Sequence, residues 1–323
     1  MTRVSVVVAT CNRPWDLTHC LRSLLAQTHP PEHTIVVDDA PGGEESPEVV
    51  ARCARRARVT YVEAEGRGLA AAHNLGLLDV DTPLVAFTDD DIVVHQAWLE
   101  RICQAFETVP NVGCVTGMIL PRELETREQL WLEGYAGFNK GFRRRVFDLA
   151  SHRPDDPLFP FTAGTLGSGA NMAFTTKALR AMGGFDPALG AGTRARGGDD
   201  LSAFFEVLQQ GHRLVYEPAA IVHHRHARDY ESLRRQVYGY GVGLTAYLTK
   251  CVLDRPRLLS TAARQLPRAV AHVLGADSPK NARLPRDYPP ELARLERLGM
   301  LAGPFAYVAS RHSAGRHAVR PVR

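Results

Sequence analysis

Over the first 110 residues, short apolar runs alternate with stretches whose apolar positions recur every three or four residues. "VSVVVA" is followed by Leu17, Leu21, Leu24 and Leu25 at helical spacing, with Pro14 suited to a first turn. "TIVVDDA", a helix opened by Ser46 and Pro47, the run "RVTYVEA", a helix from Gly68 to about Leu78, the run "LVAFTD" and a helix carrying Leu99, Ile102 and Phe106 complete the series. The order is βαβαβαβα. Continuous Val, Ile, Leu and Phe runs, rather than strict alternation, predict strands covered on both faces: an α/β fold with a mostly parallel sheet flanked by helices. In such sheets ligands bind beyond the carboxyl ends of the strands, where Asp38, Asp39, Asp89, Asp90 and Asp91 fall.

After "VGCVTGMIL" the pattern loosens over 121–166, rich in Arg, Pro, Gly and aromatics, and a long irregular stretch of this kind is usually functional. Regularity returns with "GANMAFTTKALRAMGGFD" and with "GGDDLSAFFEVLQQGHRLVYEPAAIVHHRH". In the latter, Leu201, Phe204, Phe205 and Leu208 form one helical face and Gly211 stops the helix. From about 230 onward the chain reads as a helical, Arg-rich C-terminal extension broken by Pro256, Pro267 and "LPRDYPPE".

Size and charge narrow the classes. At 323 residues and 45% hydrophobic the chain buries a full core. A net charge of +4, from 39 Lys and Arg against 35 Asp and Glu, does not point to nucleic acid. The basic excess gathers in the tail "SRHSAGRHAVRPVR", either a solvated terminus or a contact with anionic lipid or a polyanionic partner. Six cysteines without CxxC spacing fit a reducing cytoplasm. No run approaches the ~20 apolar residues of a membrane span, and the N-terminus opens directly into a strand without a signal-peptide pattern, so the expectation is a cytoplasmic protein, soluble or peripheral at the membrane's inner face.

Three polar clusters carry the chemistry. "FTDDD" sets three carboxylates side by side, which is costly unless solvent screens them or a cation sits among them. "GGDDLS" places Asp199 and Asp200 at a helix start, where capping is the plain alternative. "IVHHRHARD" brings His223, His224 and His226 to a strand end, as ligands or as solvent-facing decoration. The turn after the first strand, "ATCNRPWD", has no glycine, so the close approach to a pyrophosphate that GxGxxG provides is absent, as is a Walker loop. A diphosphate at this acidic edge therefore needs a bridging divalent cation, and oxygen ligands with an imidazole and no Cys suit Mn²⁺ or Mg²⁺.

The ordered set "VSVVVATCNRP", "VVDDA", "GRGLAAAHNLG", "FTDDD", "GSGANMAF" with "GGFD", "GGDDLS" and "YEPAAIVHHRH" resembles family 2 nucleotide-sugar glycosyltransferases of the GT-A, Rossmann-like fold, over roughly 1–230. The resemblance implies a nucleotide-sugar-binding half at 1–120, an acceptor-binding half at 121–230, and inverting transfer from a nucleotide diphosphate sugar. Carried over residue by residue, Ala9, Asp38, Asp39, Arg67, Asn74, Asp89 and Asp90 would surround the donor. Asp89, Asp91 and His224 would hold the metal, with His223 and His226 as alternatives. Asp200 would be the base, supported by Asp199, which stands where relatives usually carry Glu. Gly167, Ser168, Gly169, Ala170 and Asn171 would floor the acceptor site, and Trp131, Tyr135, Phe138 and Phe142 either stack on the acceptor or form local core. Only four lysines among the basic residues suggest a GC-rich bacterial genome, hence a cell-envelope glycan, a lipid-linked acceptor or a secondary metabolite. A sugar nucleotidyltransferase, or a non-catalytic carbohydrate-binding protein on the same fold, is the alternative; the first would want a basic, Gly-rich loop where only Arg13 stands.

Overall fold

The computed structural model describes residues 1–315 apart from 41, 44, 276, 277 and 279. Arg316, Arg320 and Arg323 of the basic tail lie outside the described residues, while Arg311 falls in the last helix. The alternating units predicted for the first half are present: β1 (Val4–Thr10), α1 (Pro14–Leu25), β2 (His33–Asp38), α2 (Glu45–Ala54), β3 (Val59–Glu63), α3 (Leu69–Leu78), β4 (Leu84–Asp89), the short β5 (Ile92–Val94) and α4 (Trp98–Thr108). Then follow β6 (Val112–Pro121), α5 (Arg127–Ala136), β7 (Arg145–Phe147), β8 (Met172–Thr175), α6 (Thr176–Ala181), α7 (Asp199–Gln209) and β9 (Arg213–His224). The last helices are α8 (Tyr230–Asp254), α9 (Leu259–Leu274) and α10 (Pro290–Gly315).

One sheet runs β3-β2-β1-β4-β8-β6-β9-β5, with β7 on β9. Its first four strands are parallel, whereas β8 runs antiparallel between β4 and β6, and β6 pairs parallel with β9. The half that the sequence pattern described is thus parallel and the other half mixed. All seven residues of β1 are buried, Val7 and Ala9 in the core on one face and Val4, Val6 and Val8 in the core on the other. Burial on both faces is why the run reads as continuous valine rather than alternation. Register then aligns the acids: Thr10 stands opposite Asp38, and Ala9 opposite Asp89, in one row at the carboxyl edge.

The C-terminal helices are tied to this body through α8. Tyr247 and Cys251 belong to the main core, and α10 crosses α8 at close range. A Cβ on Gly241 would stand 2.1 Å from the Glu296 carbonyl oxygen, and one on Gly303 2.4 Å from the Val242 carbonyl oxygen, so these two helices meet through their backbones. Pro256 and the 285–289 segment interrupt the helices as expected, but Pro267 lies inside α9. That expectation is corrected: α9 runs through Pro267 without ending there, at the cost of the hydrogen bond its missing N–H would have made to the Ala263 carbonyl. Among the described residues no helix is long and apolar enough to cross a membrane.

Candidate active site

The three adjacent aspartates meet three different fates. Asp90 is fully buried beneath the β4–β5 turn, where Thr10 Oγ1 donates to its Oδ2 at 2.8 Å and Arg13 Nη1 stands 3.3 Å from its Oδ1. Arg13 Nη1 also donates to Asp91 Oδ2 at 2.8 Å. Asp91 Oδ1 is buried and accepts no hydrogen bond; it faces His224 Nε2 at 3.5 Å. Burial pushes Asp91 up, but His224 and Arg13 outweigh it and hold the carboxyl at about 2. Burial, with Asp91 adding repulsion, raises Asp89 to about 6, and burial raises Asp90 to about 7 despite Arg13.

A chain of side chains reaches His224 from behind. Glu133 Oε2 lies 2.9 Å from His226 Nε2, and His226 Nδ1 lies 3.1 Å from His224 Nδ1. A carboxylate only accepts, so a proton on His226 Nε2 faces Glu133, while the proton between His226 Nδ1 and His224 Nδ1 sits on one of those two nitrogens. His224 Nε2 faces Asp91 Oδ1 across 3.5 Å and can either donate a proton to it or offer a lone pair to a cation. Burial lowers His224, yet Asp91 and Asp89 outweigh it and raise it above its ordinary value. Strand alternation turns His223 the other way, and β5 stations the pair, with Ile92 opposite His224.

Asp199 and Asp200 open α7 and are approached by backbone. Gly169 N donates to Asp200 Oδ2 and Leu201 N to its Oδ1, both at 2.8 Å. Thr88 Oγ1 donates to the carbonyl of the neighbouring Ala170 at 3.0 Å, so residues 169–170 tie the β4 acids to Asp200. Each patch feels the other: Asp200 repels Asp89, and Asp89 repels Asp199. Burial first, then Asp200, lifts Asp199 to about 8; burial raises Asp200 in spite of its two amides and of Lys140. The pair is seated by Gly198, at φ 85°, because a Cβ there would lie 2.5 Å from the Gly243 carbonyl of α8.

The other residues named from sequence take these places in the frame. Asn171 is fully buried; its Nδ2 donates to the Met118 and Ala220 carbonyls and its Oδ1 accepts from Trp98 Nε1, so it is a strut across the sheet. Asn74 is likewise turned inward, exchanging two 2.8 Å hydrogen bonds with the backbone of Phe185. Asp38 accepts from Tyr61 Oη and Ala40 N, and Asp39 accepts from Arg67 N and Gly68 N. Ala9 is buried beside Asp89. Gly167 packs against Thr116, and the Ser168 carbonyl accepts from Asn171 N. Trp131 and Tyr135 pack on Tyr230, Tyr240 and Tyr288 as local core, Phe138 lies edge-on to His224, and Phe142 is exposed.

Sequence reasoning passed over four parts of the site. Arg13 bridges two of the aspartates, and its signal was its place just beyond β1. Glu133 anchors the histidine chain from inside the irregular excursion, and nothing local marks it. Residues 190–193 join the two halves: Leu69 N donates to the Ala191 carbonyl, and Gly190 abuts the Asp199 carboxyl. Lys140, also in the excursion, donates from Nζ to the Gly137 carbonyl at 2.7 Å; burial, then Arg283 and Arg145, lower it to about 8 while Asp200 pulls it up.

The profile of "Glycosyltransferase like family 2" matches residues 2–238, well over half of the chain. The chain belongs to glycosyltransferase family 2. The pre-mycofactocin glycosyltransferase of Mycobacterium tuberculosis is 29% identical over 178 residues, 54% of this chain and 34% of the relative, so the match spans about a third of that protein. The glucosyl-dolichyl phosphate glucuronosyltransferase of Haloferax volcanii is 25% identical over 244 residues, 69% of each chain. Among solved structures, the mannosyltransferase PcManGT from Pyrobaculum calidifontis, in complex with GDP-Man and Mn²⁺, superposes with TM-score 0.57 at 20% identity, covering 99% of this chain and 77% of that one. S. aureus TarS 1-349 with UDP-GlcNAc does so with TM-score 0.53 at 15% identity, covering 98% and 93%. The sheet flanked by helices is therefore a GT-A fold.

Proposed function

We propose that this protein moves a glycosyl group from a nucleoside diphosphate sugar to an acceptor hydroxyl with inversion, and that Asp200 removes the acceptor's proton. The observation that carries the reading is the 169–170 loop, which holds the β4 acids and Asp200 on either side of one short stretch of backbone. In the step itself the acceptor oxygen bonds to the anomeric carbon, the bond to the diphosphate breaks, and the proton passes to an Asp200 oxygen. A carboxylate already kept above its ordinary affinity for protons suits that role.

A divalent cation fits the other patch. Asp91 Oδ1, buried without a hydrogen bond, and the His224 Nε2 lone pair would hold it, with Asp89 beside them. Among the described residues no group of three or more acidic, His or Cys side chains is close enough to hold a metal ion, so Asp89, Asp91 and His224 do not form a ready-made three-ligand site. Bound there, Mn²⁺ or Mg²⁺ would neutralise the departing diphosphate. The two structural neighbours captured with GDP-Man and Mn²⁺ or with UDP-GlcNAc support the donor class. On the acceptor side, Lys140, Arg145 and Arg283 gather around the Gly137–Lys140 turn: Arg145 Nη2 donates to the Lys140 carbonyl, and a Cβ on Gly137 would lie 3.1 Å from Arg283 Nη1. That favours an acceptor with an anionic group near its hydroxyl, such as a lipid-linked phosphate or an acidic glycan.

Isothermal titration with UDP and GDP, with and without Mn²⁺, followed by mass-spectrometric scoring of nucleotide-sugar hydrolysis, tests this. Metal-dependent diphosphate binding is the expected outcome. Preference for a triphosphate would move the reading to nucleotidyl transfer, and absence of nucleotide binding to a carbohydrate-binding role.

A further inference from the structure

The helix α9 is mounted with its apolar side outward. Leu259, Leu266, Val270 and Leu274, with Ala263 and Pro267 between them, fall within about a third of its circumference at the ordinary 3.6-residue period, and all six are exposed. Leu259 and Leu266 retain 60% and 61% of their accessible surface. The opposite side carries Thr261, Gln265, Ala269 and His272, each only partly buried, and no residue of α9 is buried. Beneath it, Thr261 and Gln265 look onto a cavity of about 230 Å³ shared with Phe159 and Phe205. A helix stabilised by the core of its own chain would show the reverse arrangement.

The same arrangement recurs on α10. Its buried side packs on α8, while Leu298, Leu301, Phe305 and Val308, spaced three or four residues apart, form an exposed row; Leu301 and Phe305 are 71% and 79% exposed. The charge along both rows is mostly basic, bounded by Asp254, which pairs with Arg311, and by Glu206, which pairs with Arg255. From 255 to 276 the sequence has four arginines and no acid, and from 297 to 323 it again has no acid. Arg257, Arg264 and Arg268 have no ion pair among the described residues.

We propose that α9 and the outer row of α10 form a docking surface for an anionic lipid bilayer, with leucine, valine and phenylalanine entering the acyl boundary and the flanking arginines meeting phosphate headgroups. Apolar rows bordered mainly by arginine match a surface that is apolar below and negative above. A second copy of the chain would bring the same positive border against itself, so like charges disfavour it. The surface is distinct from the basic tail and carries binding without it.

Co-sedimentation of the full chain with vesicles of phosphatidylcholine, and of phosphatidylcholine with phosphatidylglycerol, tests the proposal. Binding is expected to the anionic vesicles only, to weaken as salt rises, and to fall at least about tenfold in Leu266→Glu/Val270→Glu and in Leu301→Glu/Phe305→Glu. A chain ending at Gly315 should bind nearly as well as the full chain. Nucleotide-sugar hydrolysis in solution, unchanged in the variants, confirms that they fold. Absence of binding, binding indifferent to the four substitutions, or loss of binding only with the tail would overturn the proposal, as would sedimentation of the chain as a dimer that these substitutions dissociate and vesicles do not recruit.

Discussion

The two acidic patches are built from the same residue type and are compensated in opposite ways. At the end of β4 the partners of Asp90 and Asp91 are cations and a hydroxyl, Arg13, His224 and Thr10, and Asp91 is held at about 2. At the start of α7 the partners of Asp200 are backbone amides, and Asp199 and Asp200 are both raised. Two like charges 4 Å apart at an effective permittivity of 20 repel by about 4 kcal/mol, so neither patch stays fully ionised without help. Within the first patch Asp91 keeps its charge while burial raises Asp89 and Asp90; in the second both carboxyls are raised. A transfer reaction uses both properties, one at the leaving group and one at the acceptor.

The sharpest way to break this contrast is Asp200→Asn. It is expected to lower turnover by on the order of 10²–10⁴ with metal-supported nucleotide binding nearly intact, as read by single-turnover kinetics beside calorimetry. If Asp200→Asn turned over at the wild-type rate, the base would have to be sought elsewhere. Asp91→Ala should do the converse, weakening diphosphate binding in Mn²⁺ by at least about tenfold while circular dichroism stays unchanged. Were binding unaffected, the cation would have to sit elsewhere.

Glu133→Ala refines the first patch, because it removes the carboxylate that faces His226 Nε2. Mn²⁺ affinity of the nucleotide-free protein, followed by electron paramagnetic resonance, should fall by about tenfold, and Glu133→Gln, whose amide oxygen still accepts from His226 Nε2, should restore most of it. Equal losses in the two variants would mean that Glu133 does not act through its contact with His226.

The smallest effect concerns stability. The folded-state value of Asp199 lies near 8, above its ordinary 3.8, so the native protein holds more protons than the unfolded chain between these values. Its contribution is therefore fully present below about pH 4 and is lost as pH rises toward 8. Asp199→Asn, which cannot ionise, should raise Tm by a few degrees at pH 8 and by less at pH 5. A Tm difference independent of pH would show that Asp199 is ionised throughout.

Legibility followed the range of the interactions. The β1 to β4 strands and their acids could be read because hydrophobic period and strand order are local, and a parallel register then leaves little freedom in where a strand's last residue lies. The "GSGAN" loop was recognised as a motif, but Asn171 and Asn74 look alike in sequence whether they face a ligand or a backbone carbonyl. Only the burial of Trp98 and Phe185 around them gives their amides to the protein. Pro267 misled for a different reason: an interior proline costs a helix hydrogen bond but does not by itself say where the helix ends.

By itself the sequence determined the alternating layers, the row of carboxylates at the sheet's edge and the family, since each rests on periodicity or on ordered short motifs. Tertiary structure alone decided that Glu133, His226, His224 and Asp91 form one line, that residues 190–193 join the two halves, and that α9 turns its leucines to solvent. Those facts depend on contacts between residues far apart along the chain, and the spacing of residues in a sequence carries no record of which distant side chain will fill a given gap.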